Sequence, residues 1–257
     1  MCIRDRYMIR VNTNNAVACV LSERLKERVD LSRLPEDLCV VVGGDGFMLE
    51  TIRTVGAGYV FLGINAGRVG FLLNDAEDFE ATVDAIESES WTVHTFPRLS
   101  MRAERTDGNE VMEALAVNDV YLERMTGQTA HLQIEIDGVR MVDRLVCDGI
   151  IASTALGSTA YHFSASGHAC HPGVRAIHLT PICPHSPRLA PLTLPAEAKI
   201  AIDMMGGDKR PVRAVADGVS HPHVSRIEIE RADVDVRLAF LDGHNFTATL
   251  VEKILRV

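Results

Sequence analysis

Apolar residues in the first third of the chain form short strand-like runs that alternate with segments of helical spacing. This pattern predicts, in order, strand 7–12, helix 15–29, strand 38–42, helix 47–55, strand 59–64 and helix 76–88. Strands that alternate with helices in this way are typical of a parallel α/β sheet. We therefore predict an α/β N-terminal domain over residues 7–96.

The pattern changes after Pro97, where short and often alternating apolar segments follow one another without helical spacing. They are separated by turn-forming pairs such as Asp107-Gly108, Asp137-Gly138 and Gly206-Gly207. This spacing predicts a mostly β C-terminal domain over residues 97–235. The last stretch, 236–257, contains VRLAFLD and a candidate helix, and we hypothesise that it returns to the first domain.

Composition narrows the class of protein. The chain has 257 residues, 47% hydrophobic and 24% charged, which is ordinary for a soluble globular protein with room for two domains. Its net charge of -9 argues against a nucleic-acid partner, because a broad nucleic-acid face needs clustered Lys and Arg. No apolar run is long enough to span a membrane and no signal-peptide pattern is present, so we predict a cytoplasmic protein.

Two local features invite other interpretations. The first six residues, MCIRDR, join poorly to the strand that follows, so they are a candidate artificial extension with Met8 as the alternative start. The segment HACHPGVRAIH groups His168, Cys170, His171 and His178, which suggests zinc. Its spacings match none of the usual zinc patterns, and we favour a loop there.

The stretch VVVGGDGF (40–47) joins an apolar strand to a helix through Gly43, Gly44, Asp45 and Gly46. Glycines at such a turn let the backbone approach a ligand, and the amides at a helix N-terminus attract phosphate. Neither a G-x-G-x-x-G dinucleotide motif nor a Walker G-K-[ST] is present. The carboxylate of Asp45 in this turn indicates either a group that handles a proton or a metal, or a simple helix cap.

Two later motifs are suited to binding a nucleotide. The run DGIIASTALGSTAYHFSASG (148–167) predicts a strand and then a loop of small polar residues, with Tyr161 as a surface on which a base can stack. It has no G-x-S-x-G elbow, so an acyl-transfer serine is not expected. In AVNDVYL (116–122), Asn118 suits an adenine edge and Asp119 a ribose diol, although such a pair is also common in turns.

Taken together with NAGRVGFL (65–72) and LTPICPHSPR (179–188), these motifs resemble those of the NAD kinases, in order, from about Val40 to the C-terminus. The resemblance implies an α/β domain followed by a sandwich-like β domain, with the active site between them. It also implies transfer of the γ-phosphoryl of ATP, or of polyphosphate in some members, to the adenosine 2′-hydroxyl of NAD. The implied cofactor is Mg²⁺ or another divalent cation that comes with ATP, and no metal is expected to be tightly bound by protein alone.

The resemblance also assigns roles to residues. Asp45 would accept the proton of the hydroxyl, and the turn of Gly43, Gly44 and Gly46 would hold ATP phosphates. The residues implied in NAD binding are Asp45, Gly46, Asn118, Asp119, Asp148, Leu156, Thr159, Ala160, Tyr161, His162, Phe163 and Ser164. Asp148 can reach a neighbouring subunit in this family, which suggests a homodimer or homotetramer, and His131 falls at a position that contacts ligand in some members.

Several positions depart from the family pattern. Asp119 stands where Glu is usual, Ala155 replaces Pro, Leu156 replaces Thr or Ala, and Phe47 replaces Thr or Ser. We expect the loss of the proline to loosen the loop, and a bulky Leu156 to narrow the NAD pocket. Two alternatives share the fold, namely a lipid kinase, which also has GGDG, and a non-catalytic sensor of pyridine nucleotides.

Overall fold

A computed structural model describes residues 8–67, 70–108 and 110–255. They divide into two compact units, of which one runs to Phe96 and resumes at Asp235 while the other is Pro97–Val234. The suspected extension at residues 1–6, together with Tyr7 of the predicted first strand and Arg68 and Val69 of NAGRVGFL, lies outside the described residues.

The strands are numbered in chain order. They are β1 Met8–Val11, β2 Leu38–Gly43, β3 Val60–Asn65, β4 Trp91–Phe96, β5 Leu99–Arg105, β6 Val111–Ala116, β7 Asp119–Arg124, β8 Ala130–Ile136, β9 Val139–Cys147, β10 Gly149–Thr154, β11 Ala176–Ile182, β12 Leu192–Pro195, β13 Ile200–Met205, β14 Val212–Ala216, β15 Val219–His221, β16 Val224–Arg231 and β17 Val236–Leu241. The α-helices are α1 Ala16–Arg28, α2 Asp45–Val55, α3 Phe79–Glu87, α4 Tyr161–Ser164 and α5 Phe246–Leu255. Short 3₁₀ helices span Leu31–Arg33, Leu156–Thr159 and Gly207–Lys209.

The first unit is an α/β layer structure built on one five-stranded sheet in the order β1-β2-β3-β17-β4. The pairs β1 with β2, β2 with β3 and β3 with β17 are parallel. Every residue of β2 is buried, as a strand covered on both faces requires. Asn15 caps α1 by accepting from the amides of Val17 and Ala18, so this helix begins where its sequence signal lies.

Three predicted elements differ from the structure. Helix α2 begins at Asp45 instead of 47, and α3 begins at Phe79 instead of 76, because Asp78 provides its cap. Strand β4 was not predicted, since only Phe96 of its six residues is buried and its pattern is weak. Because β4 pairs antiparallel with β17 at the edge, the sheet is mixed and not wholly parallel.

The second unit consists of two six-stranded sheets in which the strand pairings are antiparallel. Their orders are β12-β11-β10-β7-β14-β15 and β6-β5-β16-β13-β8-β9. Buried residues from both sheets, such as Leu122 and Ile150 from one and Leu132 and Ile227 from the other, form a single hydrophobic core. The predicted sandwich-like β fold is therefore confirmed.

Of the helices in the described part of the chain, none combines the length and the apolar character that crossing a bilayer requires.

Candidate active site

Asp45 is the first residue of α2, directly after the turn that ends β2. The N-cap is Gly44, which has extended backbone and makes no side-chain cap. The Asp45 carboxylate instead accepts from two backbone amides of a distant segment, those of Phe71 to Oδ2 and Leu72 to Oδ1, both at 3.0 Å. The alternative in which Asp45 merely caps its helix is therefore wrong.

A third donor reaches the same carboxylate from the C-terminal helix. Nζ of Lys253 lies 3.3 Å from Oδ2 of Asp45, and both side chains keep about a quarter of their surface exposed (28% and 26%). The ammonium also lies 4.6 Å from the centre of the Phe71 ring, in cation–π range. Asp45 is thus held by two fixed amides and one charged side chain.

Glycines shape the space around this carboxylate. A Cβ on Gly70 would lie 2.7 Å from Oδ1 of Asp45, so a side chain there would push the carboxylate out of its place. Gly44 and Gly46 differ from Gly70 in this respect, since a Cβ on either would meet nothing within 4 Å. The turn therefore has an open side where the first amides of α2, which lack partners within the helix, are available to an anion.

In the second unit, Asn118 and Asp119 lie at the start of β7, where Asp217 holds their backbone in position. The Asp217 carboxylate accepts from three consecutive amides, those of Val117 at 2.6 Å, Asn118 at 2.9 Å and Asp119 at 3.2 Å. The Asp217 amide donates back to the Asp119 carbonyl at 3.1 Å. Sequence reasoning missed Asp217, whose only local signal is the Asp-Gly pair of a β-turn.

Two carboxylates therefore lie close together. Asp119 is only 5% exposed, and burial, together with the charge of Asp217, raises its pKa to about 7. Burial also raises the pKa of Asp217, while its three amide bonds oppose that rise. Because the amides favour the charged form of Asp217, we assign to Asp119 the proton that this pair of carboxylates takes up first.

The strand β10 and the residues after it pack directly onto the Asn118 turn. The Asn118 carbonyl accepts from the Thr154 amide at 2.9 Å, and the Val117 carbonyl accepts from the Thr154 hydroxyl at 2.7 Å. A Cβ on Gly157 would lie 2.2 Å from the Asn118 carbonyl oxygen. The structure thus brings together two motifs that are about 40 residues apart, and Gly157 is required for their contact.

The predicted loop after β10 is folded into two short helical turns, Leu156–Thr159 and Tyr161–Ser164. The side chains of Leu156 and His162 are buried, and His162 bonds the Thr180 hydroxyl at 2.8 Å. The residues of this segment that reach the surface are the half-buried Thr159 and Ala160 and the exposed Tyr161, Phe163 and Ser164. Leu156 is among the buried residues of this segment, whereas a pocket-lining role for it stays a prediction.

Asp148 and His131 lie apart from the Asn118 turn. Asp148 forms a two-pronged ion pair with Arg124, at 3.0 and 3.1 Å, which already occupies its carboxylate. His131 lies in β8, which belongs to the other sheet of the unit. Desolvation and the nearby charges of Arg210 and Arg144 lower the pKa of His131, so it is neutral at pH 7.

Sequence comparisons with other proteins establish the family. A model of the ATP-NAD kinase C-terminal domain matches residues 117–238. A Rickettsia bellii protein named NAD kinase is 33% identical over 255 residues, which cover 94% of this chain and 97% of that one. A Cereibacter sphaeroides NAD kinase is 36% identical over 95% of this chain and 96% of its own. The chain belongs to the NAD kinase family.

Solved structures of NAD kinases and related kinases also match. An NAD kinase from Archaeoglobus fulgidus, crystallised in complex with ATP, superimposes with a TM-score of 0.78 at 29% identity and covers 98% of this chain and 99% of its own. Yeast NADH kinase, complexed with NADH, gives a TM-score of 0.75 at 28% identity over 86% of this chain, which spans 65% of the yeast chain. The match to the NAD kinase domain model includes Asn118, Asp119 and Asp217 but not Asp45.

The zinc alternative finds no support in this NAD kinase fold. Among the described residues, no group of three or more His, Cys, Asp or Glu side chains is arranged to hold a metal ion. His168 and His178 both bond the Thr193 hydroxyl, at 3.2 and 3.1 Å. Burial and the neighbouring rings of His162 and His168 lower the pKa of His178 to about 4, which keeps it neutral.

Proposed function

We propose that this chain phosphorylates NAD at the adenosine 2′-hydroxyl, with the γ-phosphoryl of ATP as the group transferred and NADP and ADP as products. The observation that carries the proposal is the Asp45 carboxylate, held by two amides at a glycine turn in a chain of this family. Phosphoryl transfer depends mainly on positioning and charge neutralisation. Asp45 accepts the proton of the attacking hydroxyl, and the turn of Gly43, Gly44 and Gly46 binds the ATP phosphates.

We assign NAD binding to the Asn118 turn and to the helical turns after β10. Asn118 and Asp119 bind the nucleoside, and Thr159, Ala160, Tyr161, Phe163 and Ser164 supply the adjoining surface. Tyr161 supports this assignment because its ring is partly exposed and packs edge-on against Tyr121, at 4.9 Å between centroids, so its orientation is fixed. Leu156 and His162 contribute from the interior by supporting the turn, and His131 remains a further candidate.

The divalent cation is best explained as part of the nucleotide substrate. Asp45 is a single carboxylate whose oxygens already accept from two amides and Lys253, and the described residues form no metal-binding cluster. These residues therefore do not fit a metal site made by protein alone. Mg²⁺ that enters with ATP supplies charge neutralisation on the phosphates.

The oligomeric state and the subcellular location are inferred from membership of the same family. We propose a cytoplasmic homodimer or homotetramer that supplies NADP. In such an assembly Asp148 would exchange Arg124 for an NAD molecule bound to a neighbouring subunit, which the partial exposure of its side chain (24%) supports.

The proposed function is tested with purified protein, NAD, ATP and Mg²⁺, with NADP⁺ measured by a coupled dehydrogenase. We expect NADP⁺ from the wild-type chain and almost none from Asp45→Asn, because that change removes the proton acceptor at nearly constant volume. Polyphosphate replaces ATP in a parallel reaction, which identifies the donor. NAD binding without turnover on either donor would favour the sensor, and phosphorylation of diacylglycerol in place of NAD would favour the lipid kinase.

A further inference from the structure

The three donors that hold Asp45 differ in their freedom to move. Two are backbone amides, those of Phe71 and Leu72, in a segment that leads directly to Asn74. Asn74 is buried, and its side chain donates to the carbonyls of Gly63 at 2.9 Å and Ala239 at 3.1 Å. The segment is therefore anchored to the central strands two residues after Leu72, which restricts the movement of these amides.

The third donor, Lys253, carries no such restraint. Its ammonium lies on a four-carbon stem in the last turn of α5, is 28% exposed, and is 3.3 Å from Oδ2 of Asp45. Side-chain rotation alone can move it, while the Phe71 ring offers it a second favourable surface at 4.6 Å. Among the three donors, Lys253 is the one that can be exchanged during a reaction.

The exchange decides whether Oδ2 of Asp45 is free to accept a proton. Oδ2 accepts both the Phe71 amide and the Lys253 ammonium, and a carboxylate oxygen has about two favourable acceptor directions. The terminal phosphate of ATP carries more negative charge than one carboxylate and presents three acceptor oxygens. A phosphate bound beside Asp45 therefore competes effectively for the ammonium.

We propose that Lys253 is an exchangeable counter-ion that pairs with Asp45 in the absence of ATP and moves to the terminal phosphate when ATP binds. This inference rests on the proposed function. The move frees a lone pair on Oδ2, to which the 2′-hydroxyl gives its proton as its oxygen forms the new bond to Pγ. The bond between Pγ and the bridging oxygen breaks, ADP leaves with that electron pair, and Lys253 neutralises the transferred group.

The test is a cycle of binding measurements. Titration calorimetry with Mg-ATP is performed on wild type, Lys253→Met, Asp45→Asn and the double variant, in the absence of NAD. Lys26→Met is the matched control, because Lys26 is also a helical lysine of this unit, paired with Glu23 at 2.9 Å. Thermal melts check that each variant is folded, and Lys253→Gln replaces Lys253→Met if the latter melts early.

The exchange predicts a specific pattern of ATP affinities. Asp45→Asn should bind ATP more tightly than wild type, because Lys253 is then released from its partner. Adding Lys253→Met to Asp45→Asn should weaken ATP binding by about 10- to 100-fold, the usual loss for a hydrogen bond to a charged group. Lys26→Met should leave ATP affinity within about twofold, since its ion pair is exposed.

Two results would overturn the proposal. If Lys253→Met weakens ATP binding in the wild-type chain but not in Asp45→Asn, Lys253 only orients Asp45 and does not contact phosphate. If it has no effect in either background, the lysine plays no part. Failure of the wild-type chain to make NADP⁺ would instead count against the proposed function, because the cycle measures binding and needs no turnover.

Discussion

Asp45 and Asp217 use the same interaction for different purposes. Each carboxylate accepts backbone amides from a segment far away in sequence. The third donor to Asp45 is a lysine side chain, whereas Asp217 accepts from three consecutive amides and lies near both Asp119 and the charge of Arg98. We infer from the comparison that a carboxylate suited to proton transfer keeps one exchangeable partner, whereas a carboxylate that holds a turn is bonded to fixed backbone amides.

The largest effect should come from Asp45→Asn. We expect kcat to fall by about 100- to 10,000-fold, the range for loss of a general base. Melting temperature should stay within a few degrees. The new NH₂ group faces one of the two amides, but the side chain is 26% exposed, so water can bond the amide that loses its acceptor. Steady-state kinetics and a thermal melt measure both quantities, and a kcat within tenfold of wild type would refute the assigned role.

Gly157→Ala should have the next largest effect. Its Cβ would lie 2.2 Å from the Asn118 carbonyl oxygen, so the two segments must separate. We expect a loss of about 3 kcal/mol in the free energy of unfolding, at the upper end for overpacking, together with weaker NAD binding. Urea denaturation and NAD titration provide the measurements.

Gly44→Ala is the matched control, because a Cβ there meets nothing within 4 Å. Its stability should remain within about 1 kcal/mol of wild type, since its backbone is extended and alanine tolerates that conformation. Equal destabilisation by both alanines would contradict the difference drawn between the two regions.

Asp217→Asn should affect stability more than chemistry. The new NH₂ group faces backbone donors in place of an acceptor, so at least one of the three amides loses its partner. We expect about 2 kcal/mol of destabilisation, the usual cost of an unsatisfied polar group, and a higher KM for NAD with kcat less affected. A large fall in kcat at unchanged stability would place Asp217 among the reacting groups and remove the contrast with Asp45.

The last prediction concerns pH, which acts on stability and leaves the proposed chemistry of Asp45 unchanged. The pKa of Asp119 is about 7 in the folded chain and 3.8 in the unfolded chain, so only the folded state holds this proton between those values. Stability should therefore fall as pH rises from about 4 to 7, by up to about 4 kcal/mol at about 1.4 kcal/mol per pKa unit. Asp119→Asn, which mimics the protonated acid, should flatten this slope in urea denaturation at pH 5 and pH 8. An equal slope in the variant would assign the proton elsewhere.

Local patterns predicted the elements and motifs that depend on neighbouring residues. The all-apolar β2, the Gly44 turn and the strand with Asn118 and Asp119 are of this kind, and they support the family assignment. Local patterns did not predict contacts between residues that are far apart in the sequence. Lys253 lies 208 positions from Asp45, and Asp217 lies about 100 positions from the amides it binds. The family resemblance placed Leu156 among the NAD-binding residues, but a local motif does not reveal that the fold buries this side chain.

The position of β17 has a consequence for the order in which the chain assembles. This strand lies between β3 and β4, yet it is synthesised only after the whole of Pro97–Val234. On the ribosome, the second unit can close its core while the first sheet still lacks an interior strand. Lys253, which follows in α5, is the last of the three Asp45 partners to emerge. The Asp45 site therefore gains its lysine partner only after the whole second unit has been synthesised.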